Sequence, residues 1–260
     1  TRLPGKDVWL TIDDGPSGDT RALLDLLDAH DAKATFFLVG ARAAARPDLV
    51  REIVARGHGI GNHSHSHPQA RFWALGPARM RREILDCQDT LRAITGRAPA
   101  WFRSVVGHTN PFVHAPLREA GLARVGWSAR GFDAVKTDVD AVVARIDADL
   151  APGAIVLLHE GAKHGRNVAM IERVLAHMQA KGLRAALPDA GEHGGDKAEP
   201  LRAARAAAMI AYDGAAMGDD EFVLLIGRRM ADGQVAVVGH AQDDQALMNK
   251  ALRKARPLLG

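Results

Sequence analysis

The chain has 260 residues and a hydrophobic fraction of 47%, which suits one large α/β domain, or one domain plus a small module, around an ordinary core. Its 34 Lys and Arg against 31 Asp and Glu leave a formal charge of +3; the basic residues are scattered and aromatics make up only 5%, a poor match for a nucleic-acid partner. No stretch reaches the roughly 18–20 apolar residues of a membrane span, and a single cysteine, Cys87, excludes an intrachain disulfide.

Short apolar runs alternate with amphipathic ones up to about residue 188. Strands are expected at 8–12, 34–39, 59–62, 101–103, 124–127, 154–158 and 183–187, and helices at 20–30, 47–56, 77–95, 112–120, 138–150 and 167–181. Asp19 and Thr20 mark a helix start, and Gly57, Gly96, Gly121 and Gly182 mark helix ends. Such alternation implies parallel strands joined by crossovers, hence an α/β barrel or a doubly wound sheet. From 188 to 200 the chain is rich in Gly, Pro and charge, as linkers are. Beyond it an Ala-rich helix (201–212), strands at 222–228 and 234–239 and a helix at 244–258 form a helix–hairpin–helix unit without a ligand cluster. The expected division is a domain over 1–190, a linker over 191–200 and a small unit over 201–260.

The first strand runs into TIDDGP (11–16), placing Asp13 and Asp14 at a strand-to-turn junction. Their side chains are expected to diverge, one holding a metal and the other facing the water bound to it. HSHSH (63–67) places His63 and His67 four residues apart, within reach of one ion from one helical turn. His65, between them, points away. An isolated DDGP is usually a turn and an isolated histidine pair usually surface or core. Here, however, Asp13, Asp14, His63, Arg103, Asp133 and His159 all fall just after successive expected strands, the end at which barrel active sites form. One carboxylate and two imidazoles leave coordination positions open, as in a catalytic metal site. The residues read as a metal-dependent hydrolase.

TIDDGP and GNHSHSHP (61–68) resemble the first two motifs of the polysaccharide deacetylase family, also called the NodB homology domain or carbohydrate esterase family 4. ATFF (34–37) and IVLLH (155–159) resemble it too, over roughly 5–188. The resemblance implies a deformed (β/α)7 barrel, followed here by the small C-terminal α+β unit. It implies that Asp14, His63 and His67 hold one divalent metal, usually zinc, and that Asp13 is the general base, tethered by Arg103. It implies His159 as general acid, oriented and charged by Asp133, with the Val106 backbone N–H helping to hold the oxyanion. The third motif, usually RPPYG, reads RSVVG (103–107), and the fourth, usually DxxDW, reads RGFDA (130–134). The chemistry positions are kept and the sugar-stacking ones are not.

Val106, Trp127, Arg130 and Leu157 are the expected substrate contacts. Trp127 could equally be barrel core, and Arg130 either meets an anionic substrate group or pairs with Asp133 or a surface acid. The expected reaction is removal of an N-acetyl group from an amino sugar of a glycan or glycoconjugate by metal-activated water. Alternatives are deformylation or deacetylation of a lipid-linked sugar, a catalytically weak carbohydrate-binding relative, and a non-haem iron oxygenase, the last disfavoured by the strand–helix alternation. The source reads as bacterial. No leader segment is visible, but the chain opens on Thr1, so envelope, periplasm and cytoplasm all stay open.

Overall fold

A computed structural model describes residues 5–188 and the backbones of three later strands. Arg2–Asp189 form one compact unit, and the later strands belong to a second that spans Ala190–Gly260. In the first unit the elements run β1 (Asp7–Gly15), α1 (Thr20–Ala29), β2 (Ala34–Leu38), α2 (Gly40–Ala45), α3 (Pro47–Ala55) and β3 (Gly59–Asn62). They continue as α4 (Pro77–Thr95), β4 (Trp101–Phe102), α5 (His114–Glu119), β5 (Ala123–Arg124), β6 (Ala129–Arg130), α6 (Val139–Asp147), β7 (Ile155–His159), α7 (Asn167–Ala180) and β8 (Arg184–Ala185). The eight strands are all parallel, in the order β5-β4-β3-β2-β1-β7-β6 with β8 also on β1. This is the curled sheet of a deformed (β/α)7 barrel.

Strand alternation divides the core into two faces. Val8, Leu10 and Ile12 of β1, Ala34, Phe36 and Leu38 of β2, and Val156 and Leu158 of β7 pack in one cluster with Leu23, Leu27, Ile53 and Val174 of the surrounding helices. The intervening residues point the other way: Trp9 and Phe37 cluster with Val125, and the Trp9 indole donates to Thr35 Oγ1 at 2.8 Å. On that inner face the β1 row reads Trp9, Thr11, Asp13. The catalytic candidates thus continue the barrel's own interior pattern at its upper end.

Two elements were not expected. The six residues of α2 are too few for a periodic pattern, and the strand expected over 124–127 is instead two short pairings, β5 and β6, with Trp127 between them. Asp133 therefore follows β6. The helix expected from 112 begins as a 3-10 turn, Pro111–Val113, capped by the Asn110 side chain. Cys87 is buried in α4, as a small apolar residue would be.

In the second unit β10 (Leu225–Arg229) and β11 (Val235–Gly239) form the expected antiparallel hairpin. Ala207–Met209, inside the expected Ala-rich helix, is instead β9, paired antiparallel with β10. Alanine's helix preference is a fraction of a kcal/mol per residue, which backbone pairing to an open strand edge overrides. The rest of that helix, the 191–200 linker and the helix expected at 244–258 lie outside the described residues. Among the described residues no helix is long and apolar enough to cross a membrane.

Candidate active site

At the carboxyl ends of β1, β3, β4, β6 and β7 the loops frame a cleft of about 160 Å³. That is small beside the roughly 300–1,000 Å³ of drug-sized pockets, and fits one end of a substrate rather than enclosing it. Asp13, Asp14, His63, His67 and His159 line it, together with Val106, Trp127, Arg130 and Leu157.

Strict alternation would send Asp14 to the face opposite Asp13. A register shift between Asp13 and Gly15, with Asp14 at φ 72°, turns its carboxylate back to the same side. The two acids therefore converge instead of diverging. His63 Nε2 lies 3.7 Å from Asp13 Oδ2 and 3.5 Å from Asp14 Oδ1, and His67 Nε2 lies 2.9 Å from Asp14 Oδ1. Positive φ in a non-glycine residue costs on the order of 1–3 kcal/mol, and Asp, with a short polar side chain, tolerates it best.

The two histidines do not share a helical turn. The segment after β3 is a loop in which Ser64 (φ 66°) and His67 (φ 52°) are left-handed, and that fold-back brings the two rings to 5.0 Å. Glu83 of α4 holds the loop: its Oε2 accepts from the backbone N–H of His65 (3.1 Å) and Ser66 (2.8 Å), and its Oε1 from the Ser66 hydroxyl (2.5 Å). Asn62 Oδ1 accepts from the Ser64 N–H at 3.0 Å.

Asp14, His63 and His67 each present one ligand atom, all within 4.8 Å of one another. His63 Nδ1 is 2.8 Å from the Arg103 carbonyl oxygen, so Nδ1 carries the proton and Nε2 keeps its lone pair for the cluster. Asp14 Oδ1 is buried with no partner in hydrogen-bond geometry despite the two nearby imidazoles. A buried, unsatisfied carboxylate oxygen facing imidazole nitrogens is what a bound cation would satisfy, so the residues fit a divalent metal. Burial opposes the charge on Asp14, but the two imidazoles outweigh it and hold its carboxyl well below the usual range.

Beside this trio lies an ion pair. The fully buried Arg103 donates from Nη1 to Asp13 Oδ1 (2.8 Å) and to Thr11 Oγ1 (2.7 Å), and from Nη2 to the Gly126 carbonyl (2.9 Å). Its guanidinium carbon sits 4.2 Å above the Phe37 ring centroid. Burial lowers its proton affinity, and Asp13 opposes that.

Across the cleft is a second pair. His159, on the inner face of β7, places Nδ1 2.9 Å from Asp133 Oδ1, and its backbone N–H donates to Asp133 Oδ2 at 2.6 Å. Burial disfavours the imidazolium, yet Asp133, and behind it Asp13 and Asp14, push its pKa up to about 9. His164 accepts the Arg166 N–H at Nδ1 (3.0 Å), so its Nε2–H donates to the Asp133 carbonyl (2.7 Å). Phe132, at φ 62°, is the left-handed residue that delivers Asp133 to this position.

The expected substrate contacts resolve unevenly. Val106 is left-handed (φ 47°) and 43% exposed on a 3-10 turn after β4. Trp127 is a cleft wall rather than core, and Gly107 (φ 76°) passes so close that a Cβ there would meet the indole at 2.6 Å. Leu157 is buried in the cleft floor. Arg130 makes no salt bridge with Asp133, whose oxygens are taken by His159; instead its guanidinium carbon stacks 4.0 Å from the Phe132 ring centroid and 5.4 Å from Trp127.

Three supporting residues carried no local signal, Glu83, Glu160 and His164, and Thr11 stood in the TIDDGP motif without a role of its own. Glu160 is buried beside His159, and its Oε2 accepts from Ser17 N–H (3.2 Å), Ser17 Oγ (2.7 Å) and Thr20 Oγ1 (2.5 Å), which ties the end of β7 to the turn after Asp14. Burial pushes its carboxyl up, and the hydrogen bonds from Thr20 and Ser17 act against that.

The family model for polysaccharide deacetylase matches residues 1–125. A chitooligosaccharide deacetylase of Bradyrhizobium sp. (strain ANU 289) is 35% identical over 185 residues, covering 70% of this chain and 84% of that protein. A peptidoglycan-N-acetylglucosamine deacetylase of Bacillus cereus is 34% identical over 196 residues, 70% of either protein. Among solved structures, a family 4 carbohydrate esterase from Streptomyces lividans in complex with acetate superposes with a TM-score of 0.64 at 34% identity, covering 70% of this chain and 92% of that one.

Proposed function

The chain belongs to the polysaccharide deacetylase family, and from that premise we propose that it is a divalent-metal-dependent hydrolase removing the N-acetyl group from an amino sugar of a glycan. The observation that carries this reading is the meeting, in one cleft, of the Asp14–His63–His67 trio, the Asp13–Arg103 pair and the Asp133–His159 pair. A catalytically weak binder has no use for both proton-transfer pairs. The deacetylases of Bradyrhizobium and Bacillus cereus support the substrate class.

Asp14, His63 and His67 would hold the metal, and two imidazoles with one carboxylate suit zinc. When bound, it supplies a Lewis acid that polarises the amide carbonyl and acidifies water. The chain's own residues do the rest. Asp13, fixed in direction by Arg103, accepts the proton of the attacking water through Oδ2. The backbone at Val106 offers an N–H to the developing oxyanion. His159, kept as imidazolium by Asp133, gives its Nε2 proton to the departing amine while Nδ1–H stays on Asp133. Leu157 and Leu158 keep the strand end beneath His159 dry, which strengthens that pairing.

The test is acetate release from a panel of N-acetylated chitooligosaccharides and peptidoglycan fragments by zinc-loaded protein. Release that disappears on chelation and returns with metal supports the reading. Unaltered release after metal removal, or none from any saccharide, overturns it.

A further inference from the structure

Arg130 holds a positive charge that nothing in the described protein neutralises. Its side chain lines the cleft, and the guanidinium makes no hydrogen bond or ion pair with any described residue. The cleft's three carboxylates are committed: Asp13 to Arg103, Asp133 to His159 and Asp14 to the two metal-site histidines. A second cation is close by: Arg145 also reaches the Phe132 ring, at 5.2 Å, and burial together with Arg145 lowers the proton affinity of Arg130. Leaving a half-buried guanidinium uncompensated is costly unless a partner arrives.

The side chain is also built into place. Gly131 packs so tightly on α6 that a Cβ would meet Val142 Cγ1 at 2.6 Å and the Val142 carbonyl at 2.7 Å. Phe132 then turns left-handed, and its ring supports the guanidinium face at 4.0 Å, with Trp127 beyond at 5.4 Å. A guanidinium stacked by its face keeps its in-plane N–H groups for an edge-on partner, the geometry that grips carboxylate or phosphate in bidentate fashion. Arg130 pairs with Leu157 across β6 and β7, and His159 lies two residues further along the same face of β7. Both side chains line the one cleft, so an anion on the guanidinium shares that cleft with the group presented to His159.

We propose that Arg130 is an oxyanion subsite, so that the preferred substrate is an N-acetylated amino sugar bearing a carboxylate or phosphate next to the acetamido group. This rests on the deacetylase reading above and specifies its substrate class.

The test compares three substrates on the zinc-loaded full chain: tetra-N-acetylchitotetraose, the same chain carboxylated at C6, and an N-acetylglucosamine 1-phosphate. Charge-assisted bidentate contacts predict a kcat/KM about tenfold to a hundredfold higher for at least one oxyanion substrate, and the favoured arm identifies the oxyanion. Arg130→Met removes the advantage, mainly through KM, and Arg130→Lys restores part of it. Equal or better turnover of the neutral chain, or a preference that survives Arg130→Met, overturns the proposal and marks Arg130 as a rim arginine held by stacking alone. Absence of acetate from all three refutes the deacetylase reading separately. Calorimetric binding of the carboxylated chain then still decides the subsite, tighter to wild type than to Arg130→Met if it exists and equal if it does not.

Discussion

Replacing Asp133 by Asn isolates what charges His159, the proposed general acid. The wild-type imidazole is held near pKa 9 against burial, with Asp133 the largest of the influences that raise it. A bound dication offsets the pull of Asp13 and Asp14 but leaves that of Asp133, which contacts Nδ1 directly at 2.9 Å. With the charge gone, burial dominates and the pKa falls below the ordinary value of about 6.5. Activity that needs imidazolium then has its alkaline limb moved down to below about 6.5. The substitution also leaves a mark that does not depend on turnover. Asp133 accepts two N–H groups of His159, whereas Asn offers one oxygen and one amide, so one buried donor loses its acceptor at a cost of about 1–3 kcal/mol. A group whose folded pKa is raised contributes stability that is complete below its unfolded pKa, about 6.5, and is lost as pH climbs through about 9. Thermal melts of the wild type should therefore fall across that window more steeply than those of Asp133→Asn. Full pH–rate profiles with parallel melts decide the matter: an alkaline limb that stays in place with metal still bound refutes the assignment of Asp133 to His159.

Asp14→Ala or His63→Ala should abolish retention of the single divalent ion, read by elemental analysis after gel filtration, and full occupancy in either would remove them as ligands. Asp13→Asn should keep the metal and lose about 10²–10⁴ in rate; it should also melt earlier, because the buried Arg103 loses its counter-charge. Near-normal turnover would place the base elsewhere. Glu83→Gln should loosen the histidine loop and weaken zinc affinity about 10–100-fold in competition with a chelator dye, and unchanged affinity would show that the loop holds itself. Residues 201–260 are proposed as a separate unit, so a chain ending near residue 190 should stay soluble and bind zinc; aggregation would make that unit part of the barrel's packing.

Chemistry was easier to read in the sequence than conformation. Periodicity placed β1, β2, β7 and α4 closely because each has a full-length apolar pattern, and Gly96 caps α4 with φ 74°. The two-residue β6 and six-residue α2 lie below the length at which a period can be counted. The site's residue types were visible because acids and histidines gathered after strands. Their directions were not, since Asp14 and His67 depend on left-handed backbone that neither residue type announces. Arg130 invited an ion pair with Asp133 three residues on, but one strand end turning left-handed at Phe132 sent the two side chains to different partners. Glu83 and Glu160 act across 17 or more residues of sequence, and no window of local pattern contains such a contact.

Residue 103 touches both halves of the proposed chemistry: its carbonyl holds His63 and its guanidinium holds Asp13. The end of β4 thereby works as a common yoke. A shift of that strand end would carry the imidazole and the carboxylate in the same direction, so their separation would change less than either one's position. Relative geometry between a metal and its base is what proton transfer feels, so a short, two-residue strand at the rim need not be stiff in absolute terms. It has only to move both partners in step.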